Sequence, residues 1–477
     1  MKAFLGTLVN YGLILMGVKR SASYLASVQI TADATLNCGG SDNRVTSGYV
    51  KLPSGDLFFS LFEGRGSARD DGLVIQFEGG PGASGFDYPF IGAGPCQLTP
   101  SILDPNDTTL SPSPYPWTDY ANLLVLDYPI GTGHSQSAPD PIPPNSSVAA
   151  AQDFDDALQS IYATWPRFKQ QPLILSSLSY GGTHIPHISS TILGRNNLAI
   201  RDWWKVWKAT IRARFIKHVD QIILGNPFSD IISEIHHQWD SSCKTEPHMY
   251  NDTICSHMRD NLSICQDKLR YLIETGIEDS LELRLDAQET CLGPWSKLRW
   301  DAALRNRYDR RLPSCEAKDC HWWLMPLVQL MNSEGMKTIL GVPAERIYRY
   351  VGPAMLAFAA NGDMMQSAYK LLTPVLESGT RLLVYSGLND TAVPYSGTYS
   401  WMTRLPSQHL HQFRQSQPIQ VDGRLYNGTV INAGRDYTLL AVAEAGHLVQ
   451  ETHPRLVQAV IKAAVKGQNY DPLAVSD

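Results

Sequence analysis

Five short runs of consecutive apolar residues constrain this chain's fold more than any other feature: "GLVIQF" at 72–77, "NLLVLDY" at 122–128, "PLILSS" at 172–177, "QIILGN" at 221–226 and "RLLVYSG" at 381–387. A strand that is apolar on successive residues has no solvent face, so both of its sides must be covered. Residues 148–164, "VAAAQDFDDALQSIYAT", instead repeat their apolar positions every three or four residues, as an amphipathic helix does. Buried strands alternating with helices predict an α/β fold, a central, mostly parallel sheet with helices on both faces. A length of 477 residues suffices for one such domain with an insertion in it.

The insertion is expected at about residues 231–345. Six of the eight cysteines lie there (243, 255, 265, 291, 315 and 320), eight of the eleven tryptophans fall between 195 and 345, and no comparable apolar run interrupts it. These features predict a largely helical, disulfide-stapled cap. With Cys38 and Cys96 the cysteines are even in number, enough for four bridges of undetermined pairing, and none has the paired CxxC spacing of a zinc site.

Residues 1–23 place Lys2 before an apolar stretch and small residues, the pattern of a secretory signal peptide. That leaves 24–477 as a single domain. Sequons at Asn106, Asn145, Asn251, Asn261 and Asn427 agree with a secretory route, so a secreted or vacuolar location is expected. A net charge of -6 without any basic run argues against nucleic acid as a ligand. No stable membrane partner is expected, and the ligand is read as a peptide or a small acyl compound.

Residues 175–182 read "LSSLSYGG". Ser177-Leu178-Ser179-Tyr180-Gly181 matches the nucleophile elbow, with serine in place of its first glycine. A serine hydroxyl is a weak nucleophile until an imidazole takes its proton and a carboxylate orients that imidazole. The α/β-hydrolases supply these partners in the chain order Ser, Asp, His. Asp390 follows the run 381–387 in "LNDTAVP", and His447 follows a further apolar run in "LLAVAEAGHLVQ". The tetrahedral intermediate also needs donors for its oxyanion. "FEGGPGASG" at 77–85 provides a loop whose backbone can approach a ligand closely, and the N–H groups of Gly80 and Tyr180 are the expected donors.

Together these segments resemble the serine carboxypeptidase family, on the α/β-hydrolase fold. "EGGPGASG" is similar to the family's Asn-Gly-Gly-Pro-Gly loop. "PWTDYANLLVLDYPIGTGHS" at 116–135 is similar to its Trp-x-x-x-Ala-Asn-x-x-x-x-Asp-x-Pro-x-Gly-x-Gly-x-Ser stretch. "SLSYGG" resembles its elbow, "ILGNPFSD" its Gly-Asn strand end, "YSGLNDTAVP" its acid loop and "AGHLVQETHP" its histidine loop. The resemblance implies Ser179 as nucleophile, Asp390 as orienting acid, His447 as base, Gly80 and Tyr180 as oxyanion donors, and no metal or organic cofactor.

The departures concern substrate. In the family, an asparagine in the glycine loop and two glutamic acids recognise the substrate's terminal carboxylate. Here those positions hold Glu78, Gly92 and Leu178, so the expected substrate-facing set is Glu78, Gly79 and Leu178. An ionised Glu78 about 4 Å from a substrate carboxylate would repel it by roughly 4 kcal/mol at an effective dielectric near 20. Ala83 replaces the loop cysteine that the family bonds to its insertion, which implies a missing staple and a freer cap. Asn389 begins a sixth sequon beside Asp390, and a glycan there would crowd the site, so it is expected to stay unmodified. Three readings follow: a hydrolase working through an acyl-enzyme on Ser179, an acyltransferase that passes the acyl group to an alcohol or amine, and a catalytically weak binding protein on the same fold.

Overall fold

All five apolar runs form strands of one sheet. The computed structural model describes residues 26–470 except 40–42, 101–103, 105–106, 139–143, 203–217, 276–279, 302, 317–319, 423–424 and 434–435. The expected signal peptide at 1–23 and the sequon at Asn106 lie outside the described residues. The strands are β1 (Ser27–Leu36), β2 (Asn43–Leu52), β3 (Gly55–Phe62), β4 (Leu73–Phe77), β5 (Asn122–Leu126), β6 (Leu173–Leu178), β7 (Gln221–Gly225), β8 (Arg381–Gly387), β9 (Ile419–Asp422), β10 (Asn427–Ala433) and β11 (Tyr437–Val442).

Their spatial order is β1-β2-β3-β5-β4-β6-β7-β8-β11-β10-β9. The six central strands, β5 to β11 in that order, pair in parallel. Antiparallel ribbons close both edges. Every residue of β4, β5, β6 and β7 is buried, which is why these strands read as unbroken apolar runs. The edge ribbons carry no such signature, because strands like β1, "SVQITADATL", keep exposed polar residues among the apolar ones.

One face of the sheet packs on helix α1 (Ser147–Thr164) through Phe154, Leu158 and Ile161. The cluster on the other face includes Leu456, Val460 and Ile461 of a C-terminal helix, Pro454–Val465. Helix α2 (Gly181–Asp202) leaves the end of β6. The insertion is helical as expected, with α3 (Ile231–Cys243), α4 (Asp252–Glu274), α5 (Leu281–Asp301), α6 (Leu324–Asn332) and α7 (Glu334–Leu340).

Cys243–Cys255 joins α3 to α4 and Cys265–Cys291 joins α4 to α5. Cys315–Cys320 closes the loop before α6, and Cys38–Cys96 fastens the N-terminal ribbon to the segment after the glycine loop. Four bridges suit a chain that folds in the secretory pathway. At Ala83, where the family's staple is missing, backbone pairing holds the loop instead. Ala83 bridges Val351, Gly352 N–H donates to Gly82 O (3.0 Å) and Ser84 N–H to Tyr350 O (2.8 Å). The glycine loop is therefore tied to the segment that follows the cap.

Candidate active site

Ser179 occupies the turn between β6 and α2 at φ +57°, a left-handed conformation that costs a non-glycine residue energy and that a sharp strand-to-helix turn requires. Neighbouring elements hold it there. Its N–H donates to Gly225 O at the end of β7 (3.0 Å), and its carbonyl accepts from Gly182 N–H (2.9 Å) and Phe228 N–H (2.7 Å). The serine at the elbow's first position fits because Gly181 has no side chain: a Cβ there would fall 1.6 Å from Ser177 Oγ.

Asp390 and His447 sit on the loops after β8 and β11, at the same carboxyl edge of the sheet as Ser179. His447 Nδ1 lies 2.6 Å from Asp390 Oδ2, and both side chains are buried. Asp390 is fully engaged: Oδ2 also accepts from Asn226 Nδ2 (2.8 Å), while Oδ1 accepts from the N–H groups of Ala392 (2.8 Å) and Val393 (3.2 Å). Asn226 is the asparagine of the "GN" strand end, so that motif serves the acid directly. Asn389 is half-buried, and the hydroxyl of its sequon's Thr391 donates to Arg307 O (2.8 Å).

The glycine loop presses on the elbow. A Cβ on Gly79 would lie 2.6 Å from Tyr180 N and 2.7 Å from Ser179 Cβ, so only glycine allows this approach. Gly80 stands at φ +104°, and Tyr180 is buried with its hydroxyl donating to Asp363 Oδ2 (2.8 Å). Leu178, the last residue of β6, is buried in the apolar core and offers no polar group.

Glu78 is buried beside Asp87, a residue that no sequence motif singled out, and the two carboxyls are hydrogen-bonded to each other. Burial, and next the charge of Asp87, push Glu78 well above the usual carboxylate range. Burial lifts Asp87 to about 7 against the donors that favour its charged form, among them Tyr88 N–H (2.8 Å) and Tyr350 O–H (3.1 Å). Among the described residues Glu78 Oε2 has no hydrogen-bond partner. Gly92, at φ +114°, faces the amides of Gln97 and Gln450: a Cβ would lie 3.2 Å from Gln97 Oε1 and 3.4 Å from Gln450 Nε2. Those amides take up space that a longer side chain at 92 would need.

A mostly parallel sheet that carries a strained serine at a strand-to-helix turn and an Asp–His pair at neighbouring strand ends defines an α/β-hydrolase fold. The chain belongs to the serine carboxypeptidase family, whose sequence profile matches residues 38–467. It is 23% identical over 416 residues to carboxypeptidase Y homolog A of Chaetomium globosum, covering 86% of this chain and 69% of that one. Carboxypeptidase Y of Saccharomyces cerevisiae is likewise 23% identical, over 440 residues, covering 90% and 77%. The crystal structure of a prohormone-processing carboxypeptidase from Saccharomyces cerevisiae superposes with a TM-score of 0.70 at 18% identity, covering 89% of this chain and 92% of that one.

Proposed function

We propose that the protein is a serine hydrolase of carboxypeptidase type, secreted or vacuolar, that works through an acyl-enzyme on Ser179. The observation that supports this reading most is the 2.6 Å contact between His447 Nδ1 and an Asp390 whose every oxygen is engaged, at the edge of the sheet where Ser179 is presented. In this reading Asp390 fixes the imidazole with its proton on Nδ1, leaving Nε2 to take the Ser179 proton as Oγ attacks the substrate carbonyl. The N–H groups of Gly80 and Tyr180 stabilise the oxyanion. His447 then passes its proton to the leaving amine, and water attacks the acyl ester with His447 again taking the proton.

Glu78 changes how the substrate carboxylate is met. The repulsion expected from an ionised Glu78 does not arise while burial keeps its proton, and a neutral carboxyl can donate a hydrogen bond to an anion. The pH dependence follows from the sign of the shift. Because the Glu78 and Asp87 values lie above the ordinary range, the pair holds its protons at acid pH and loses them as pH rises through about 7 and beyond. KM for a peptide with a free C-terminal carboxylate should therefore climb in that window, by up to about a thousandfold once the pocket is fully charged. A C-terminally amidated analogue should lack that rise. Glu78→Gln, which keeps a donor and cannot titrate, should flatten the profile. Steady-state kinetics giving both substrates the same KM profile, or a Glu78→Gln profile like the wild type's, would remove Glu78 from the account. An ester or amide of an added acceptor among the products would indicate transfer rather than hydrolysis.

A further inference from the structure

The cap segment 307–310 lies across both loops that carry the acid and the imidazole. Arg307 O accepts from the N–H groups of Thr391 and Ala392 (3.1 Å each), Arg310 N–H donates to Asn389 O (3.0 Å), and Tyr308 O accepts from His447 N–H (2.7 Å). The segment fits closely over the histidine loop because position 446 is glycine: a Cβ there would lie 2.3 Å from Tyr308 O. The Tyr308 ring also packs on the His447 ring, 5.4 Å between centroids.

What fixes this segment is the Arg310 side chain, 4% exposed. Its Nη1 donates to Thr245 O (3.2 Å), and its Nη2 donates to Ser241 O (2.8 Å) and pairs with Ser241 Oγ, all at the C-terminal end of α3 where orphaned carbonyls favour a cation. The same helix reaches the acid loop directly through Gln238 Nε2 to Ala392 O (2.5 Å).

We propose that Arg310 is a positioning residue for the Asp390–His447 pair: its buried guanidinium anchors segment 307–310 to the end of α3 and sets a positive charge near the Asp390 carboxylate. The Asp390 charge is the largest influence that favours Arg310's charged form against its burial, and burial pushes the neighbouring Glu234 well above the usual carboxylate range. Arg311 is a poor substitute, since its guanidinium is committed to Asp309 (2.5 Å).

This inference rests on Ser179, Asp390 and His447 acting together, and the test separates the two. Arg310→Gln should lower kcat about 10²-fold with KM nearly unchanged, whereas Arg310→Lys, which keeps the charge, should stay within about tenfold of wild type. Rates are taken per active site, titrated with a serine-directed phosphonate, because partial unfolding alone would lower the apparent kcat at unchanged KM. A wild-type kcat in Arg310→Gln, or a loss that falls on KM instead, would overturn the proposal. If Arg310→Gln fails to fold, Arg310→Lys decides alone: a kcat within about tenfold upholds the charge, and a loss of about 10²-fold or more overturns it. Wild-type protein that a serine-directed phosphonate does not label would instead remove the underlying reading of Ser179.

Discussion

Asp390→Asn should lower kcat about 10⁴-fold with little change in KM. The geometry dictates which way the new amide points. Two backbone N–H groups, of Ala392 and Val393, hold Oδ1 and will keep the amide oxygen there. The amide NH₂ must then take the Oδ2 place, facing the donor Asn226 Nδ2 and His447 Nδ1. A donor opposite Nδ1 draws out the imidazole's lone pair and moves its proton to Nε2, the nitrogen that has to accept the serine proton. Substrate contacts are untouched, so the loss belongs to kcat. A loss smaller than about tenfold would show that Asp390 does not set the tautomer.

Gly79→Ala should produce the second large loss, on the order of 10²–10³-fold in kcat. The new Cβ would meet Tyr180 N at 2.6 Å, Ser179 Cβ at 2.7 Å and Leu178 O at 2.8 Å. Two of these atoms are backbone and the third is a Cβ, so no side-chain rotation relieves the contact. The glycine loop must move off the elbow, taking the Gly80 N–H away from the forming oxyanion. Gly335→Ala is the matched control: the residue is exposed in a helix, and an added Cβ has no heavy atom within 4 Å. Kinetics and thermal unfolding of both variants would test this. A Gly79→Ala enzyme with wild-type kcat would mean that the loop is not part of the reacting site.

The parallel core was legible in the sequence because burial on both faces favours apolar residues at successive positions, as in "NLLVLDY" and "PLILSS". The helix read at 148–164 is observed at Ser147–Thr164, capped by Ser146 Oγ accepting from Ala149 N–H (3.3 Å). The outermost strands β1 and β9 were not legible, because they are mostly exposed and carry no unbroken apolar run. The stretch 116–135, the most specific family resemblance, builds scaffold around the site. Asn122 donates to the carbonyls of Arg69 (2.8 Å) and Gly72 (3.0 Å), and Asp127 accepts from His134 N–H (2.6 Å). Gly133 is needed because a Cβ would collide with the Asp127 carboxyl at 2.1 Å.

Around the site, residues set by local turn chemistry could be read, and those brought in by tertiary packing could not. Ser179, Asp390 and His447 each follow a buried strand, so position on the strand end marks them. Asp87 lies nine residues after Glu78 in a loop of no recognised pattern, and its pairing with Glu78 depends on how that loop folds back. Arg310 lies in the insertion, where the family resemblance is weakest, and its role depends on the α3 end meeting the acid loop. The change at Glu78 was visible, and the repulsion expected of it was conditional on its being ionised; its burial beside Asp87, which raises its carboxyl well above the usual range, was not visible.

The central claim, that Ser179 is the activated nucleophile, is tested most directly by treating the purified protein with a serine-directed fluorophosphonate across about pH 4 to 8 and locating the adduct by intact mass and peptide mapping. The account predicts a single adduct, on the peptide that contains Ser179, and none in Ser179→Ala. An unlabelled wild type, or an adduct that persists in Ser179→Ala, would contradict it.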